Sequence, residues 1–522
     1  LDGGVAAGAD AALAAGSRRE PELDSGVADA SLDAGFNDEG GDGGGDGGSD
    51  AASVDAALPR LHPGCRSDPS QCPNVLFLSI DDLNDWVGAL RGHPQAKTPH
   101  IDALAARGTL FSNAHCAAPL CNASRVSTLS GIAPWNLGIY ANRQPWRPPH
   151  PDLVTLPQHF RAFGYHAAGT GKIFHGRYLD PVSWDEYWPG LCEERPPDPP
   201  VEGRPINGIP GTGNFDWGPT DLALADMSDA KVADWVAERL QQPKGDKPLF
   251  LACGFFRPHQ PLFVPQEYFD RFPLEDIELP ETKIDDIDDL PPLGVRFAEP
   301  DDRHAFVLEH MQWKPAVQAY LASTAFADDM LGRVMSAFDR SPYADNTIIV
   351  LWSDHGWHLG EKMHWEKFAL WEEATRVPLA VVAPGVTTPG SVCSRPVNLL
   401  DLYPTLSELC GLPLRDELEG ESLVPLLRDP EAQPDRVSIT NYKRGNYAIR
   451  TQRWRYIRYG DDTEELYDHD VDPNEWDNLA SDPSTEATRL ELAAKLPKRS
   501  RGHVPHMGGY DPADIECMVP NE

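Results

Sequence analysis

The sequence predicts an α/β fold: a large, mostly parallel sheet flanked by helices, followed by a smaller C-terminal antiparallel sheet. Three observations carry this reading. Short continuous apolar runs recur between residues 74 and 352, as expected of strands buried on both faces. Amphipathic segments at helical spacing separate them, and such alternation implies a sheet covered on both sides. From about Val437 the pattern changes to short strand-like runs joined by polar turns.

Taken in order, Asn74 to Ile80 is the first strand, and Asp81-Asp82 follow it at once. Tyr165 to Thr170 leads into Gly171-Lys172-Ile173-Phe174-His175, and Pro248 to Phe256 ends in Arg257-Pro258-His259. Thr347 to Trp352 ends in Ser353-Asp354-His355-Gly356. Helices are predicted over Asp221 to Gln241 and Val317 to Phe338. In all four strands a titratable group lies just past the carboxyl end, where open α/β sheets bind ligands. Four such coincidences point to one shared site. Tyr447 to Arg450, Trp454 to Tyr459 and Glu465 to Tyr467 are the strands of the appendage.

These elements divide the chain into a tether over 1–65, an α/β domain over 73–436 and a C-terminal subdomain over 437–522. Residues 1 to 58 hold 13 acidic and 2 basic residues and a single aromatic, Phe36. Such a segment cannot bury enough apolar surface to offset its ordering entropy, so it reads as disordered. It resembles the spacer behind the anchor of a bacterial surface lipoprotein. The expectation is an exported protein, periplasmic, cell-surface or secreted, with a lipid anchor upstream of Leu1. Nowhere does the chain reach the roughly 18 consecutive apolar residues of a membrane helix. Cys65 and Cys72 can form a local disulfide in an oxidising compartment.

The net charge of −36 excludes nucleic acid as the natural partner, because phosphate backbones demand a basic face. A small anion needs only local lysine, arginine or metal. Cys121-Asn122-Ala123-Ser124-Arg125 offers such a place. With a helix starting near Asn122, Cys121 lies at its amino end, where free N–H groups and the dipole favour negative charge. Arg125, about one turn along, is placed to fork onto the same anion. Asp81, Asp82, Asp354 and His355 form a hard-oxygen set suited to Ca²⁺ or Mg²⁺ rather than zinc.

In this order, these residues resemble the sulfatases of the alkaline-phosphatase-like superfamily, and among them the iduronate-2-sulfatase type, over most of residues 73 to 480. The family motif Cys-x-Pro/Ala-x-Arg falls on Cys121, Ala123 and Arg125. Pro258-His259, Ser353-Asp354-His355-Gly356-Trp357, Leu359-Gly360-Glu361 and Lys367 follow the family order, as does Glu465-Leu466-Tyr467-Asp468 near the end.

The resemblance implies that 73–436 is a catalytic domain and that Cys121 is oxidised to Cα-formylglycine by a formylglycine-forming maturation enzyme. Ala123 in place of the commoner proline is the variant linked to the radical-based maturase. It further implies one Ca²⁺ ion at Asp81, Asp82, Asp354 and His355, with Cys121 among the metal-site residues. The hydrated aldehyde would attack the sulfur of a sulfate ester, while Arg125, Lys172 and Lys367 neutralise the transferring group. His259 would protonate the leaving oxygen, and His175 would hold or deprotonate the second hydroxyl. The implied substrate is a sulfated saccharide. His358 and His364 are candidate pocket residues, and Trp135, Trp146, Trp184, Trp188 and Trp217 are candidates for stacking on sugar rings or for core. Two alternatives stay open: a phosphonate monoester or phosphodiester hydrolase of the same superfamily, and a non-catalytic anion- or glycan-binding module.

Overall fold

A computed structural model describes residues 72–506, except Arg177 and residues 299–302. The tether over 1–65, Cys65 and Cys517 lie outside the described residues. Cys72 and Cys192 each take part in a disulfide, whereas Cys121 is a buried free thiol.

Eight strands build the main sheet: β1 (Asn74–Ile80), β2 (Thr109–Phe111), β3 (His166–Gly171), β4 (Glu186–Trp188), β5 (Leu249–Phe255), β6 (Thr347–Ser353), β7 (Leu379–Val382) and β8 (Ser391–Cys393). Their spatial order is β8-β2-β7-β6-β1-β5-β3-β4. Only β7 runs against its neighbours, β2 and β6; the other pairings are parallel. At the centre, β1 is wholly buried, which is why its sequence is apolar at every position. Val75 and Phe77 face a core shared with helix α1 (Cys121–Ser130), and Leu76, Leu78 and Ile80 face one shared with α2 (Ser228–Gln241) and α3 (Trp313–Asp339).

The sequence placed the start of α2 at Asp221, seven residues too early. The Ser228 backbone N–H donates to Asp198 Oδ1 at 2.7 Å. A distant carboxylate thus caps the helix, and nothing adjacent in sequence announces it.

The appendage is a four-stranded antiparallel sheet of β9 (Ser438–Asn441), β10 (Tyr447–Arg450), β11 (Trp454–Arg458) and β12 (Glu464–Asp468). One face closes over Leu492 and Leu496. The other joins the main core through Ala448, Ile457, Tyr459 and Tyr467. Thr440 Oγ1 donates to the Cys116 carbonyl at 2.6 Å, and the Asn441 N–H to that of Ala117 at 2.9 Å. These bonds anchor β9 just ahead of Cys121.

Glycine at position 171 serves strand packing. Its φ is +75°, and a Cβ there would lie 1.9 Å from the Gly254 carbonyl oxygen. Reciprocally, a Cβ on Gly254 would lie 2.2 Å from the Lys172 carbonyl oxygen. The ends of β3 and β5 can approach this closely only as glycines, and that approach aims Lys172 at the sheet edge. Gly171→Ala is therefore expected to lower stability by about 2–4 kcal/mol, combining left-handed strain with a backbone clash. A denaturant midpoint equal to that of the unsubstituted protein would contradict this packing.

Candidate functional site

Four strand ends and one helix start converge. Past β1, Asp82 adopts φ +57°; the left-handed turn lets two consecutive carboxylates reach one site instead of alternating across the sheet. Tyr320 of α3 fixes this turn: its hydroxyl donates to the Asp82 carbonyl at 2.7 Å and accepts from the Asn84 N–H at 2.9 Å. Past β3 comes Lys172, past β5 His259, and past β6 Asp354 and His355. Cys121 is the first residue of α1 and is fully buried.

Cys121 Sγ lies 3.0 Å from Lys367 Nζ, 3.4 Å from His355 Nε2, 3.7 Å from Lys172 Nζ and 3.9 Å from Asp82 Oδ1. Burial pushes the thiol up, but Lys172 and Lys367 outweigh it and hold the group below its ordinary value. Lys172 Nζ also pairs with Asp81 Oδ2, and Lys367 Nζ with Asp82 Oδ1 at 2.9 Å.

Arg125 departs from its sequence assignment. Its Nη2 donates to Asp81 Oδ1 at 2.8 Å and its Nε to Asp354 Oδ2 at 2.9 Å. Nη1 donates to the carbonyls of Lys172, at 2.5 Å, and Ile173, at 3.2 Å. The guanidinium therefore forks onto two carboxylates of the protein, not onto a free anion. It is buried as deeply as they are, and its rigid planar donors match their spacing. Ser124 adds a hydrogen bond from Oγ to the Asp354 carbonyl at 2.5 Å.

Ligand atoms of Asp81, Asp82, Cys121, Asp354 and His355 all lie within 4.8 Å of one another. His355 Nδ1 faces the Gly356 carbonyl at 3.0 Å, which orients Nε2 toward the cluster, 3.3 Å from Asp82 Oδ1. Burial, only partly offset by Lys367 and reinforced by Asp81, raises the Asp82 carboxyl to about 7. Its Oδ2 is buried and accepts no hydrogen bond. Burial disfavours the charged form of His355 as well, yet Asp354 raises it to about 9. An oxygen-rich set with an orphaned carboxylate oxygen and strained ionisation fits a hard divalent cation.

His259 Nε2 lies 3.8 Å from Asp82 Oδ2, and its Nδ1 2.6 Å from the Gln260 carbonyl. Burial, with Lys172 and Lys367 nearby, holds this imidazole well below the ordinary range. His175 stands half-buried three residues past Lys172, its ring 6.1 Å from that of Tyr178.

Other candidates are structural. His358 is fully buried, 4.8 Å from the His364 ring, and His364 Nε2 lies 2.6 Å from the Lys367 carbonyl. His358 borders a small cavity with Glu361, Lys362 and Glu475, away from Cys121, and His364 fixes the backbone of Lys367. Trp146, Trp184 and Trp217 are core residues. Trp135 packs edge-on against Tyr447 and Trp188 stacks on Trp235, and both are half-buried. The positioning roles of Ser124 and Tyr320 escaped the sequence reading. A phenol midway along the apolar face of α3 was the available signal for Tyr320.

The ion pairs make a testable demand. Burial alone would push the Asp81 carboxyl up, but Lys172 and Arg125 hold it well below the ordinary range. Its contribution to stability is present above the unfolded value near ~3.9 and lost only as pH falls through the depressed folded value. Arg125→Met leaves two buried carboxylates short of a partner and is expected to cost about 3–5 kcal/mol at pH 7. That penalty should shrink in denaturation measured toward pH 4, as Asp81, deprived of Arg125, protonates in the variant; a pH-independent penalty would contradict the assignment.

Comparison with known proteins gives this geometry a context. The sulfatase family model matches residues 73–412, and one described as N-sulphoglucosamine sulphohydrolase, C-terminal, matches residues 360–502. A protein named sulfatase from Formosa agariphila is 40% identical over 444 residues, covering 82% of this chain and 86% of the relative. Mouse iduronate 2-sulfatase is 31% identical over 426 residues, 69% of this chain and 75% of its own. The phosphonate monoester hydrolase of Silicibacter pomeroyi shares the fold, with a TM-score of 0.67 at 23% identity over 81% of this chain and 94% of that one.

Proposed function

The chain belongs to the sulfatase family and is a sulfuric ester hydrolase; on that premise we propose that it desulfates a sulfated saccharide with a formylglycine made from Cys121 and one Ca²⁺ ion. The observation that carries this reading is the position of Cys121: buried at a helix amino end between two lysines and against three carboxylates. A maturation enzyme exchanges its thiol for the aldehyde. Asp81, Asp82, Asp354 and His355 are the residues that would hold the cation, and Cys121 belongs to the same cluster. When present, the hydrated aldehyde supplies the oxygen nucleophile and the ion polarises the sulfate oxygens.

The other residues position and move protons. Lys172 and Lys367 flank the side chain at 121 and take up the negative charge of the sulfate. Arg125 holds Asp81 and Asp354 in place, a positioning role. His259, its Nδ1 directed to a carbonyl, aims Nε2 at the leaving alcohol oxygen and would protonate it as the imidazolium, a form that the negative charge of bound sulfate favours against burial and the two lysines. His175, on the Lys172 segment, assists release of sulfate by taking a proton from the residual hydroxyl. The saccharide class follows the iduronate 2-sulfatase relative, and export follows the oxidising chemistry of the disulfides at Cys72 and Cys192.

Intact-mass analysis of the Cys121 peptide is expected to show a loss of ~18 Da relative to cysteine. 4-Nitrocatechol sulfate should be hydrolysed well ahead of an aryl phosphonate monoester, and Cys121→Ala should lower its kcat/KM at least about a thousandfold. An unmodified thiol in an active preparation would overturn the nucleophile. Preference for the phosphonate would move the protein to the neighbouring chemistry.

A further inference from the structure

We propose that the turn between β9 and β10, centred on Lys443, forms a subsite for a second anionic group on the sugar next to the one that is desulfated. This rests on the saccharide reading above and deepens it.

The turn is built rather than incidental. Lys443 has φ +53°, a left-handed conformation that glycine would occupy without strain. Two buried amides hold it there. Asn441 Nδ2 donates to the carbonyls of Lys443 and Asn446, at 2.9 and 2.8 Å. Asn446 Nδ2 donates to the carbonyl of Tyr442 at 2.9 Å. Asn441 and Asn446 are themselves 1% and 5% exposed, so the turn is fixed before any ligand arrives.

What it presents is a cation over aromatic rings. Lys443 Nζ stands 5.5 Å from the Tyr442 ring and 5.7 Å from that of Phe297, and those two rings meet at 5.0 Å. Lys443 is exposed and forms no ion pair among the described residues. Acidic groups of the adjoining turn are engaged elsewhere: Asp461 accepts from Thr463, and Asp462 pairs with Arg458.

Continuity with the reaction centre gives the location its meaning. Phe368 follows Lys367 directly, and Lys367 Nζ lies 5.8 Å from its ring. Its backbone N–H donates to the Pro119 carbonyl, two residues before Cys121. Phe368 lies 6.2 Å from Tyr442. An apolar wall thus runs from the nucleophile to the exposed ammonium. In a chain of net charge −36, an unpaired cation at that end matches a carboxylate or sulfate on a neighbouring sugar.

The test is calorimetric titration of a heparin-derived tetrasaccharide and a carrageenan-derived tetrasaccharide into the full chain, with 4-nitrocatechol sulfate turnover measured in parallel. Lys443→Gly removes the ammonium and relaxes the backbone, so the variant should fold at least as well as the parent. Affinity for at least one tetrasaccharide is expected to fall about tenfold in Lys443→Gly and to recover largely in Lys443→Arg, with aryl sulfate turnover unchanged. Equal affinity in parent and Lys443→Gly, or binding of neither tetrasaccharide by the parent, would overturn the subsite. Loss of aryl sulfate turnover in the parent would contradict the reaction itself and leave the binding comparison readable.

Discussion

The buried guanidinium of Arg125 is the contact on which the site depends. From the second turn of α1 it reaches the carboxyl ends of three strands: Asp81 after β1, Asp354 after β6, and the carbonyls of Lys172 and Ile173 after β3. It thereby fixes the helix that begins with Cys121 relative to the sheet that carries Asp81, Asp82, Asp354, His355 and one lysine. A surface ion pair of this geometry would contribute little, but none of these groups is exposed. Removing one partner strands the others, so the arrangement behaves as a unit.

Charge balance then explains why so acidic a chain can work on anions. Asp81, Asp82 and Asp354 stand against Arg125, Lys172 and Lys367 inside the fold, where screening is weak. With His355 raised to about 9 the cluster already leans positive, a divalent cation would add to that, and this local excess, not the global charge, is what a sulfate meets. The elevated carboxyl of Asp82 and its orphaned oxygen are the signs of a cluster arranged for a further positive charge. Lys443, at the far end of the aromatic wall, extends the same principle to the neighbouring sugar.

Much of this was legible in the chain itself. The central strands are buried on both faces and so read as continuous apolar runs, and the position of a polar group after each run located the sheet edge. What the sequence could not convey is direction. Arg125 sits where its motif puts it, yet its donors turn toward carboxylates that lie 44 and 229 residues away in sequence. Gly171 stands beside a site lysine, yet what requires a glycine there is another strand's carbonyl. His364 carried the right chemistry for a pocket and holds the Lys367 carbonyl instead, whereas Trp146, Trp184 and Trp217 follow the core alternative that the sequence left open. Each miss involves a side chain whose partner is set by tertiary contacts, which local spacing does not encode.

The most direct measurement of the account is thermal unfolding followed across a calcium titration, from excess chelator upward, with the parent and Asp82→Asn compared. Binding to the folded state alone should raise the parent's stability by about 2.7 kcal/mol at a hundredfold excess over Kd, with Tm climbing in step with the logarithm of calcium. In Asp82→Asn that climb should be largely lost. A parent whose Tm is indifferent to both chelator and calcium, or an Asp82→Asn variant that responds just as the parent does, would contradict the claim that these carboxylates are arranged around a cation.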